Sequence, residues 1–544
     1  LRTAALNGAL ADAVRALDAA ARSLGGGARH RDLLRRIGDE RDQAGDVLLL
    51  DAGVLIDVVA STPAPVPGTR FDLNVTIWNG GPRDIAVTAV RPSLPHGWQF
   101  DEDRSPPMHL EANDVLRHTF HVSVPEAAER TESYFLRNER TGAMYSWRGV
   151  PDSLRTLPFQ PDEVGVDIAL TAGAEIRLRR AAASVAVDKA LGEIRRPLIV
   201  VPAAAVSVEP RMAAIPAGHR APRTIAVTVR AARDGMDGVL RLDAPSGWSV
   251  SSAAVDVGLA RSGDSRTVSF AVTPPATSTG EHVLRASFES RGRVYDEGYT
   301  LIDYPHIRPH PLYRDATVRA SIFPVSIAHD LRVGYIEGAG DDGADVLRQL
   351  GAVVEPLDAA ALANGDLSRY DAIVAGIRAY EVRPDLLANN RRLLEYANRG
   401  GTFIVQYNKY ELVDGAFMPY PATMSRPHGR VTDENAAVAL LAPEHPVLSW
   451  PNHISAADFD GWVQERGLYF LHTFDPRYEP LLSMSDPGEP PQTGSLVAAR
   501  TGDGWYVYTG LALFRQLPEG VPGAYRLLAN LVSLGNGPAE RAGR

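Results

Sequence analysis

The segment Leu331-Arg-Val-Gly-Tyr-Ile-Glu-Gly-Ala-Gly-Asp-Asp-Gly343 opens the part of the chain that decides the fold. It reads as a short apolar strand and a glycine-rich turn, and helical spacing follows up to Leu350. Two further apolar strands, Asp371-Ala-Ile-Val-Ala375 and Thr402-Phe-Ile-Val405, flank a long helical pattern from Asp385 to Asn398. Strands that alternate with helices of this length predict a parallel sheet that helices cover on both faces.

Before this region, the sequence contains a repeat with the alternating pattern of antiparallel strands. Each copy has a Pro-x-Gly-Trp motif whose tryptophan, Trp98 or Trp248, comes 30 residues after a glycine that precedes a strand. An apolar strand that begins with Phe120 or Phe270 follows 22 residues later. The matched spacings predict two Ig-like β-sandwiches. Because both tryptophans occupy the same place in the repeat, we expect them to pack against their sandwiches.

These patterns predict a multidomain protein that combines all-β and α/β parts. Residues 1–46 have apolar positions at a period near 3.6, interrupted by Gly25-Gly-Gly27, and are interpreted as a helical linker segment. The other boundaries follow from the repeat, the prolines and the alternating elements. They are an Ig-like β-sandwich at 47–202 with a loop insertion near 126–162, a second Ig-like β-sandwich at 203–308, a linker at 309–324, and a doubly wound α/β domain at 325–540.

The insertion contains Tyr134-Phe-Leu-Arg-Asn-Glu-Arg-Thr-Gly-Ala-Met-Tyr-Ser-Trp147, which is aromatic and basic and has neither the strand nor the helix period. Two interpretations stay open. The loop either reaches a neighbouring active site or a sugar, or it folds over its own sandwich.

Composition excludes several classes of function. The net charge of -10 gives a nucleic-acid partner no electrostatic support. The absence of cysteine excludes disulfides, thiolate metal sites and a cysteine nucleophile. No run of about 18 apolar residues is present, so we expect no membrane span. The chain begins at Leu1 within a helical pattern, and we expect a truncated polypeptide whose signal peptide is not in this chain.

Polar and aromatic side chains follow two strands of the predicted parallel sheet, where ligands bind in open α/β folds. A second group of polar residues lies among aromatic residues further along the chain and is a candidate pocket lining. None of them has the spacing of a known metal motif, so we predict neither a catalytic nor a metal site in this chain. The candidate ligand-binding residues are Arg378, Tyr380, Gln406, Tyr407, Asn408, His445, His453, Asp458 and His472.

The glycine-rich turn matches the G-x-G-x-x-G pattern of dinucleotide-binding proteins, with Gly338, Gly340 and Gly343 at the three glycine positions. Asp341 and Asp342 would place carboxylates beside a pyrophosphate, whose site needs bare backbone N–H groups. We therefore favour an ordinary β-to-α turn.

The order of elements in the C-terminal domain resembles the class I glutamine amidotransferase-like fold, which is flavodoxin-like, and especially its ThuA-like branch. In true amidotransferases, the turn after the strand that matches 402–405 carries the nucleophile. Here this turn offers Gln406, Tyr407 and Asn408, and the chain has no cysteine. The resemblance therefore implies a non-catalytic or repurposed relative.

Four segments together resemble the C-terminal extension of bacterial PIG-L (LmbE-like) deacetylases. That family hydrolyses N-acetyl groups of amino-sugar conjugates with a zinc ion, which an Ala-His-Pro-Asp-Asp type motif and a later histidine hold. The motif is missing from this chain, so we expect zinc only in an upstream domain. The segments are Val75-Thr-Ile-Trp-Asn-Gly-Gly-Pro82, Gly192-Glu-Ile-Arg-Arg-Pro-Leu198, Gly334-Tyr-Ile-Glu-Gly-Ala-Gly-Asp341 and Phe514-Arg-Gln-Leu-Pro-Glu-Gly-Val-Pro-Gly-Ala-Tyr-Arg526.

Three functional hypotheses follow. The first is an accessory region of an exported PIG-L-like deacetylase, periplasmic or extracellular, that docks with the upstream deacetylase domain. The second is an independent ThuA-like hydrolase that uses Asp, Glu and His side chains of the C-terminal domain. The third is a module that binds a carbohydrate or a cell-envelope glycan.

Overall fold

A computed structural model describes residues 2–25, 30–102, 109–141, 144–155, 157–172, 175–218 and 221–537. Its sheets form two all-β parts followed by one α/β part, which confirms the predicted combination at that coarse level. Of the glycine run expected to interrupt the N-terminal helices, Gly26 and Gly27 lie outside the described residues. No helix in the described ranges has the length and apolarity needed to cross a membrane.

The N-terminal helices are α1 (Arg2–Leu24) and α2 (Arg31–Asp51), and they pack against each other and against the first sandwich. Their apolar positions Ala11, Leu48 and Leu49 belong to the sandwich core. The predicted boundary at 46 is therefore wrong, because the apolar run after residue 46 continues the helix. The first strand starts only after Gly53, whose φ of +72° turns the chain.

The first sandwich consists of a six-stranded and a four-stranded sheet that enclose one apolar core. The six-stranded sheet has the order β10-β9-β1-β2-β6-β4, and the four-stranded sheet has the order β5-β3-β7-β8. The strands are β1 (Val54–Ala60), β2 (Arg70–Asn79), β3 (Ile85–Ser93), β4 (Gln99–Glu102), β5 (His109–Leu110), β6 (Val115–Ser123), β7 (Gly165–Thr171), β8 (Glu175–Ala181), β9 (Ala183–Asp188) and β10 (Gly192–Pro197).

The second sandwich pairs a four-stranded sheet, β11-β13-β17-β15, with the sheet β12-β22-β18-β14-β16, to which β19 adds. The hairpin β20-β21 lies beside them. The strands are β11 (Ala204–Glu209), β12 (Met212–Pro216), β13 (Arg223–Ala231), β14 (Gly238–Asp243), β15 (Ser249–Val250), β16 (Val255–Val257), β17 (Ser265–Thr273), β18 (Gly280–Ser290), β19 (Arg293–Tyr295), β20 (Glu297–Ile302), β21 (His310–Asp315) and β22 (Thr317–Phe323).

The repeat in the sequence has a physical basis in both sandwiches. The glycines of the two Pro-x-Gly-Trp motifs have φ values of +82° and +84°, a conformation that glycine adopts without steric cost. Phe120 and Phe270 are fully buried in the two cores. Trp98 and Trp248 are half-buried and pack against these cores, as their matched positions led us to expect.

The predicted linker at 309–324 is wrong, because these residues form strands. β22 lies between β12 and β18 in the second sandwich and supplies the buried side chains Val318, Ala320 and Ile322. Its last residue, Phe323, belongs to the core of the α/β part together with Ala214 of β12. The second sandwich and the α/β part therefore share a continuous apolar interface instead of a flexible connection.

The insertion at 126–162 lies against both sandwiches, so it does more than cover the first one. Its Arg130 pairs with Glu297 of the second sandwich, and its Asp162 pairs with Arg308. Thr131 exchanges two hydrogen bonds with Val200, where the first sandwich leads into the second. These contacts fix the insertion at the junction between the two sandwiches.

The α/β part is built on the seven-stranded sheet β24-β23-β25-β26-β33-β32-β30, in which the first five strands are parallel. Along its central strands, alternate residues enter two separate cores, one on each face. The strands of this part are β23 (Arg332–Ile336), β24 (Val353–Pro356), β25 (Ala372–Ala375), β26 (Thr402–Gln406), β27 (Ala422–Val431), β28 (Val438–Leu440), β29 (Gly467–Phe474), β30 (Glu479–Pro480), β31 (Leu482–Met484), β32 (Leu496–Thr501) and β33 (Gly504–Thr509).

Helices cover both faces of this sheet, as the sequence predicts. One core contains side chains of α3, α8, α9 and α10, and the other contains side chains of α4, α5, α6 and α7. The helices are α3 (Gly343–Leu350), α4 (Ala359–Asn364), α5 (Ala379–Val382), α6 (Pro384–Asn398), α7 (Tyr410–Asp414), α8 (Pro446–Ser449), α9 (Leu513–Gln516) and α10 (Pro522–Ser533).

Candidate functional site

The carboxyl edge of the parallel sheet concentrates backbone strain. Arg378 after β25, Tyr407 after β26, and Gln464 and Tyr469 near β29 have φ values of +54°, +45°, +68° and +63°. Left-handed conformations are costly for residues with large side chains, and such strain clusters at functional sites. The Arg378 N–H donates to the Tyr407 carbonyl at 3.1 Å, so two of the strained turns support each other directly.

Glu381 holds the two cations of this edge. Its carboxylate accepts hydrogen bonds from the Arg378 guanidinium at 2.6 and 2.8 Å and from the Lys409 ammonium at 2.9 Å. These hydrogen bonds, first from Arg378 and then from Lys409, lower the pKa of Glu381 to about 2. The three side chains are only partly exposed, so they form an ordered charged group at the surface.

Tyr407 is surrounded by aromatic rings and by a second ion pair. Its ring makes edge contacts with Tyr469 and Phe514, with centroids 5.0 and 4.9 Å apart. Its hydroxyl donates to Glu465 at 2.8 Å, and Arg515 donates to the same carboxylate oxygen at 2.9 Å. Burial, and then the hydrogen bond to Glu465, raise the pKa of Tyr407. The phenol is therefore neutral and fixed, and it is a poor nucleophile.

His428 of β27 completes the edge. Its ring lies 4.6 Å from the ring of Tyr410 and 4.7 Å from that of Tyr469. Its Nδ1 is buried and has no hydrogen-bond partner in the described part of the chain. Burial, and then the charges of Lys409 and Arg426, lower the pKa of His428, so the imidazole is neutral near pH 7.

These side chains form one group, which we call the carboxyl-edge cluster. It combines ordered cations with an aromatic wall, which are features of a site for a polar ligand. Its members are Arg378, Glu381, Tyr407, Lys409, His428, Glu465, Tyr469 and Arg515.

Replacing Glu381 by glutamine tests the ordered charges. Because the folded-state pKa is depressed, the carboxylate contributes stability above the ordinary value of 4.5 and loses it as the pH falls towards 2. We expect Glu381→Gln to lower the free energy of unfolding by about 1 kcal/mol at pH 7, with a smaller difference at pH 3. Urea denaturation at pH 7, 5 and 3 measures this. Glu444→Gln is the control, because Glu444 is exposed and forms no ion pair with another described residue. Equal effects of the two variants would contradict the assignment.

Three of the sequence-predicted residues lie beneath the cluster and act as buried supports. Asn408 accepts from the Tyr380 N–H at 2.9 Å and donates to the Gln406 carbonyl at 2.7 Å. The Tyr380 hydroxyl donates to Asn390 at 2.6 Å, and the Gln406 side chain hydrogen-bonds the Tyr335 hydroxyl. These groups hold the turns that carry Arg378 and Tyr407, but they do not face a ligand themselves.

The remaining predicted residues do not join the cluster. His445 packs against Trp505. Trp505 pairs with Thr402, the first residue of β26, so His445 lies at the amino-terminal edge of the sheet, opposite the cluster. Asp458 is buried and structural, because it accepts from Ser455 and Arg526. His453 and His472 are exposed. The second group of predicted residues therefore does not come together with Arg378 and Tyr407 at the carboxyl edge.

Six members of the cluster are not among the ligand-binding residues predicted from the sequence, namely Glu381, Lys409, His428, Glu465, Tyr469 and Arg515. Glu381 lies three residues after Arg378 at the start of a short helix, a spacing that favours an ion pair and was readable from the sequence. His428 and Arg515 come from a strand and a helix outside the parallel core, so no local pattern relates them to Tyr407.

The carboxylate of Asp341 binds the backbone of the glycine-rich turn to which it belongs. One Asp341 carboxylate oxygen accepts from the Gly343 N–H at 2.9 Å and from the Tyr335 hydroxyl, and the other accepts from the Ile377 N–H at 3.1 Å. The N–H groups that would bind a pyrophosphate are thus already used, which supports the interpretation as an ordinary turn.

No group of three or more histidine, aspartate or glutamate side chains in the described ranges is arranged to hold a metal ion. The zinc ion of the PIG-L-like family therefore finds no fitting donor set among these residues. A cleft of about 940 Å³ lies at the amino-terminal edge of the sheet, where Arg392, Arg399, Asp371 and Asp503 line it. It contains no sequence-predicted residue and no member of the carboxyl-edge cluster.

Comparison with known families gives one match. Residues 215–290, which run from β12 to β18 of the second sandwich, match the family described as NPCBM-associated, NEW3 domain of alpha-galactosidase. No curated protein sequence matches this chain.

Several solved structures share limited similarity with the chain. The β-galactosidase from Rahnella sp. R3 is 18% identical with a TM-score of 0.25, and the match covers 36% of this chain and 30% of that one. The β-galactosidase from Bacillus circulans sp. alkalophilus is 15% identical with a TM-score of 0.23, covering 39% and 31%. The apo-form Calx CBD1 domain is 9% identical with a TM-score of 0.15, covering 22% and 97%. The chain thus spans about a third of the length of the two β-galactosidases, and TM-scores this low carry no conclusion about its fold. The comparisons therefore show only that the second sandwich is similar to a NEW3 domain.

Proposed function

We propose that this chain is an accessory, non-catalytic region of an exported PIG-L-like, zinc-dependent amino-sugar deacetylase. In this proposal the two Ig-like sandwiches act as spacer and docking modules for the upstream deacetylase domain. The amidotransferase-like α/β domain binds a polar ligand of the amino-sugar class at the carboxyl-edge cluster. The zinc chemistry belongs to the upstream domain.

The state of Tyr407 carries the non-catalytic part of the proposal. This residue occupies the strained turn after β26, which in the resembled fold holds the nucleophile. Its hydroxyl is buried and donates to Glu465, and Arg515 neutralises that carboxylate. A phenol with a raised pKa and a neutralised partner has no base to activate it. The cluster is thus organised for binding more than for nucleophilic attack.

A carbohydrate context supports the choice of ligand. The second sandwich is similar to a domain family named after α-galactosidase. In the cluster, two cations and a neutral imidazole line the same edge as the rings of Tyr469 and Tyr410. This combination offers hydrogen bonds to the hydroxyl and acetamido groups of a sugar.

Titration of the intact chain with N,N′-diacetylchitobiose tests the ligand site. We expect Arg378→Gln to weaken binding by about tenfold, because a hydrogen bond from a charged group contributes roughly 1.5–3 kcal/mol. Arg391→Gln removes an equally charged side chain that is 90% exposed on α6, and it should leave the affinity unchanged. Calorimetry measures both variants. Absence of binding, or equal weakening by both substitutions, would remove the amino-sugar part of the proposal.

The deacetylase part has a separate test in the DNA upstream of the codon for Leu1. We expect an in-frame segment that encodes a His-Pro-Asp-Asp motif, and its absence would overturn this part alone.

The hydrolase hypothesis retains one favourable observation, the neutral imidazole of His428, whose Nδ1 has no hydrogen-bond partner among the residues that the structure describes. Hydrolysis of chromogenic glycosides or esters by the intact chain, abolished by His428→Gln, would favour this second function over the accessory role.

A further inference from the structure

The insertion in the first sandwich exposes a group of aromatic and apolar side chains. Tyr145 and Trp147 are 41% and 38% exposed, and the neighbouring Met144 is 71% exposed. The ring of Phe135 makes an edge contact with Tyr145 at 5.4 Å. We call these four residues the aromatic platform. Large rings in a surface loop are costly to leave in water, so their exposure calls for a binding partner.

The platform is held in a fixed arrangement. Beneath it, the buried Tyr134 contacts the rings of Phe135 and Trp147, with centroids 5.3 and 5.7 Å apart. The Tyr134 hydroxyl donates to the Leu157 carbonyl at 2.6 Å. The Asn138 side chain donates to the Arg148 carbonyl at 3.0 Å and so ties the two arms of the loop together. A platform ordered in this way loses little conformational entropy on binding.

Three arginines flank the platform along the sequence, although the whole chain carries a net charge of -10. Arg137, Arg140 and Arg148 are exposed, and no ion pair joins them to another described residue. The only acidic residue between 137 and 148 is Glu139. The Arg140 guanidinium lies 5.9 Å from the centre of the Tyr145 ring. Arg140 therefore lies beside a ring of the platform, and Arg137 and Arg148 are its exposed neighbours along the chain.

We propose that the aromatic platform binds an acidic polysaccharide. The apolar face of a sugar ring packs on Trp147 and Tyr145, and the arginines pair with carboxylate or sulfate groups of adjacent sugars. This goes beyond the proposed function, because the platform lies on a different domain from the carboxyl-edge cluster.

Charge and area favour a glycan over other macromolecules. Nucleic acid binding rests on many phosphate contacts, commonly 6–10, and three arginines on an acidic protein supply too few. A stable protein interface buries about 800 Å² on each partner, which needs about 20 residues or more, whereas the platform has four. A polysaccharide with one charge on each sugar matches three arginines spaced along a loop that exposes two rings.

Affinity electrophoresis of the intact chain in gels that contain polygalacturonate tests the proposal. We expect the wild-type chain to be retarded, and we expect Trp147→Ala and Tyr145→Ala each to raise the dissociation constant at least about fivefold. Trp78→Ala is the matched control, because Trp78 is 44% exposed on β2 of the same sandwich. The double variant Arg140→Gln and Arg148→Gln should lose the retardation, whereas Arg91→Gln, on β3, should keep it. Circular dichroism verifies that each variant is folded.

Four outcomes would overturn the proposal. They are a wild-type chain that polygalacturonate does not retard, equal retardation in uncharged dextran gels, equal losses for Trp78→Ala and Trp147→Ala, and tighter binding to single-stranded DNA than to polygalacturonate. Retardation that Arg378→Gln leaves intact would support a platform independent of the carboxyl-edge cluster, so the two proposals fail separately.

Discussion

Replacing Val318 by aspartate will destabilise the second sandwich by about 4 kcal/mol or more. Val318 is fully buried at the middle of the sandwich, so an aspartate there would bury a carboxylate among apolar side chains without an ion pair. Because Phe323 and Ala214 continue the apolar contacts into the α/β part, we expect the loss of structure to extend across the interface. Chemical denaturation followed by tryptophan fluorescence measures the change.

The matched control uses the same substitution on the opposite face of the same sheet. Val283 is 42% exposed on β18 and lies opposite Arg319 across the strand pair. Val283→Asp therefore places a carboxylate in water beside a cation, and its effect should stay within about 0.5 kcal/mol. If residues 309–324 were a flexible linker, Val318→Asp and Val283→Asp would change the free energy of unfolding equally little. Such a result would contradict the apolar interface between the second sandwich and the α/β part.

Replacing Gly338 by alanine will disrupt the carboxyl-edge cluster and destabilise the α/β part by about 3 kcal/mol. A Cβ atom at Gly338 would lie 1.9 Å from the Ile377 carbonyl oxygen and 3.0 Å from the Ala379 nitrogen. Both contacts are with backbone atoms, so the turn that carries Arg378 has to move. We expect faster amide hydrogen exchange in the peptide 372–382 and weaker ligand binding at the cluster.

Gly38→Ala provides the control for this substitution. Gly38 lies inside α2, and apart from its own helix backbone and chain neighbours no described atom lies within 4 Å of a Cβ there. Alanine has the higher helix propensity, so this change should stabilise the protein by about 0.5–1 kcal/mol. If Gly338→Ala changes neither hydrogen exchange nor the free energy of unfolding, the close approach between Gly338 and the turn that carries Arg378 is wrong.

The wrong prediction of a linker at 309–324 shows that a proline-rich composition can obscure the pattern of a core strand, here β22. The segment before β22 is rich in proline, and Pro311 lies within β21, where it is tolerated because this strand pairs on one side only. The buried positions of β22 alternate as Val318, Ala320 and Ile322, so the strand pattern was present in the sequence. The adjacent prolines favoured the wrong interpretation, and only the pairing of β22 with both β12 and β18 corrected it.

The candidate site was likewise predictable from the sequence only in part. Arg378 and Tyr407 were predictable, because they lie within three residues of the ends of strands whose carboxyl ends meet at one edge of a parallel sheet. Their left-handed backbone conformations were not predictable, since neither residue is a glycine. The histidines His445, His453 and His472 were grouped by proximity along the chain, and the sheet separates His445 from Tyr407.

The sequence by itself determined the order of strands and helices, the two tryptophan repeats and the absence of thiol chemistry, because periodicity and composition are local properties. The tertiary structure alone decided which distant side chains share a surface. Glu465 reaches Tyr407 across 58 residues of chain, and Arg130 reaches Glu297 across 167, because strand pairing and core packing bring these segments together. Contacts of this kind arise from the burial of whole faces, which no local sequence pattern specifies.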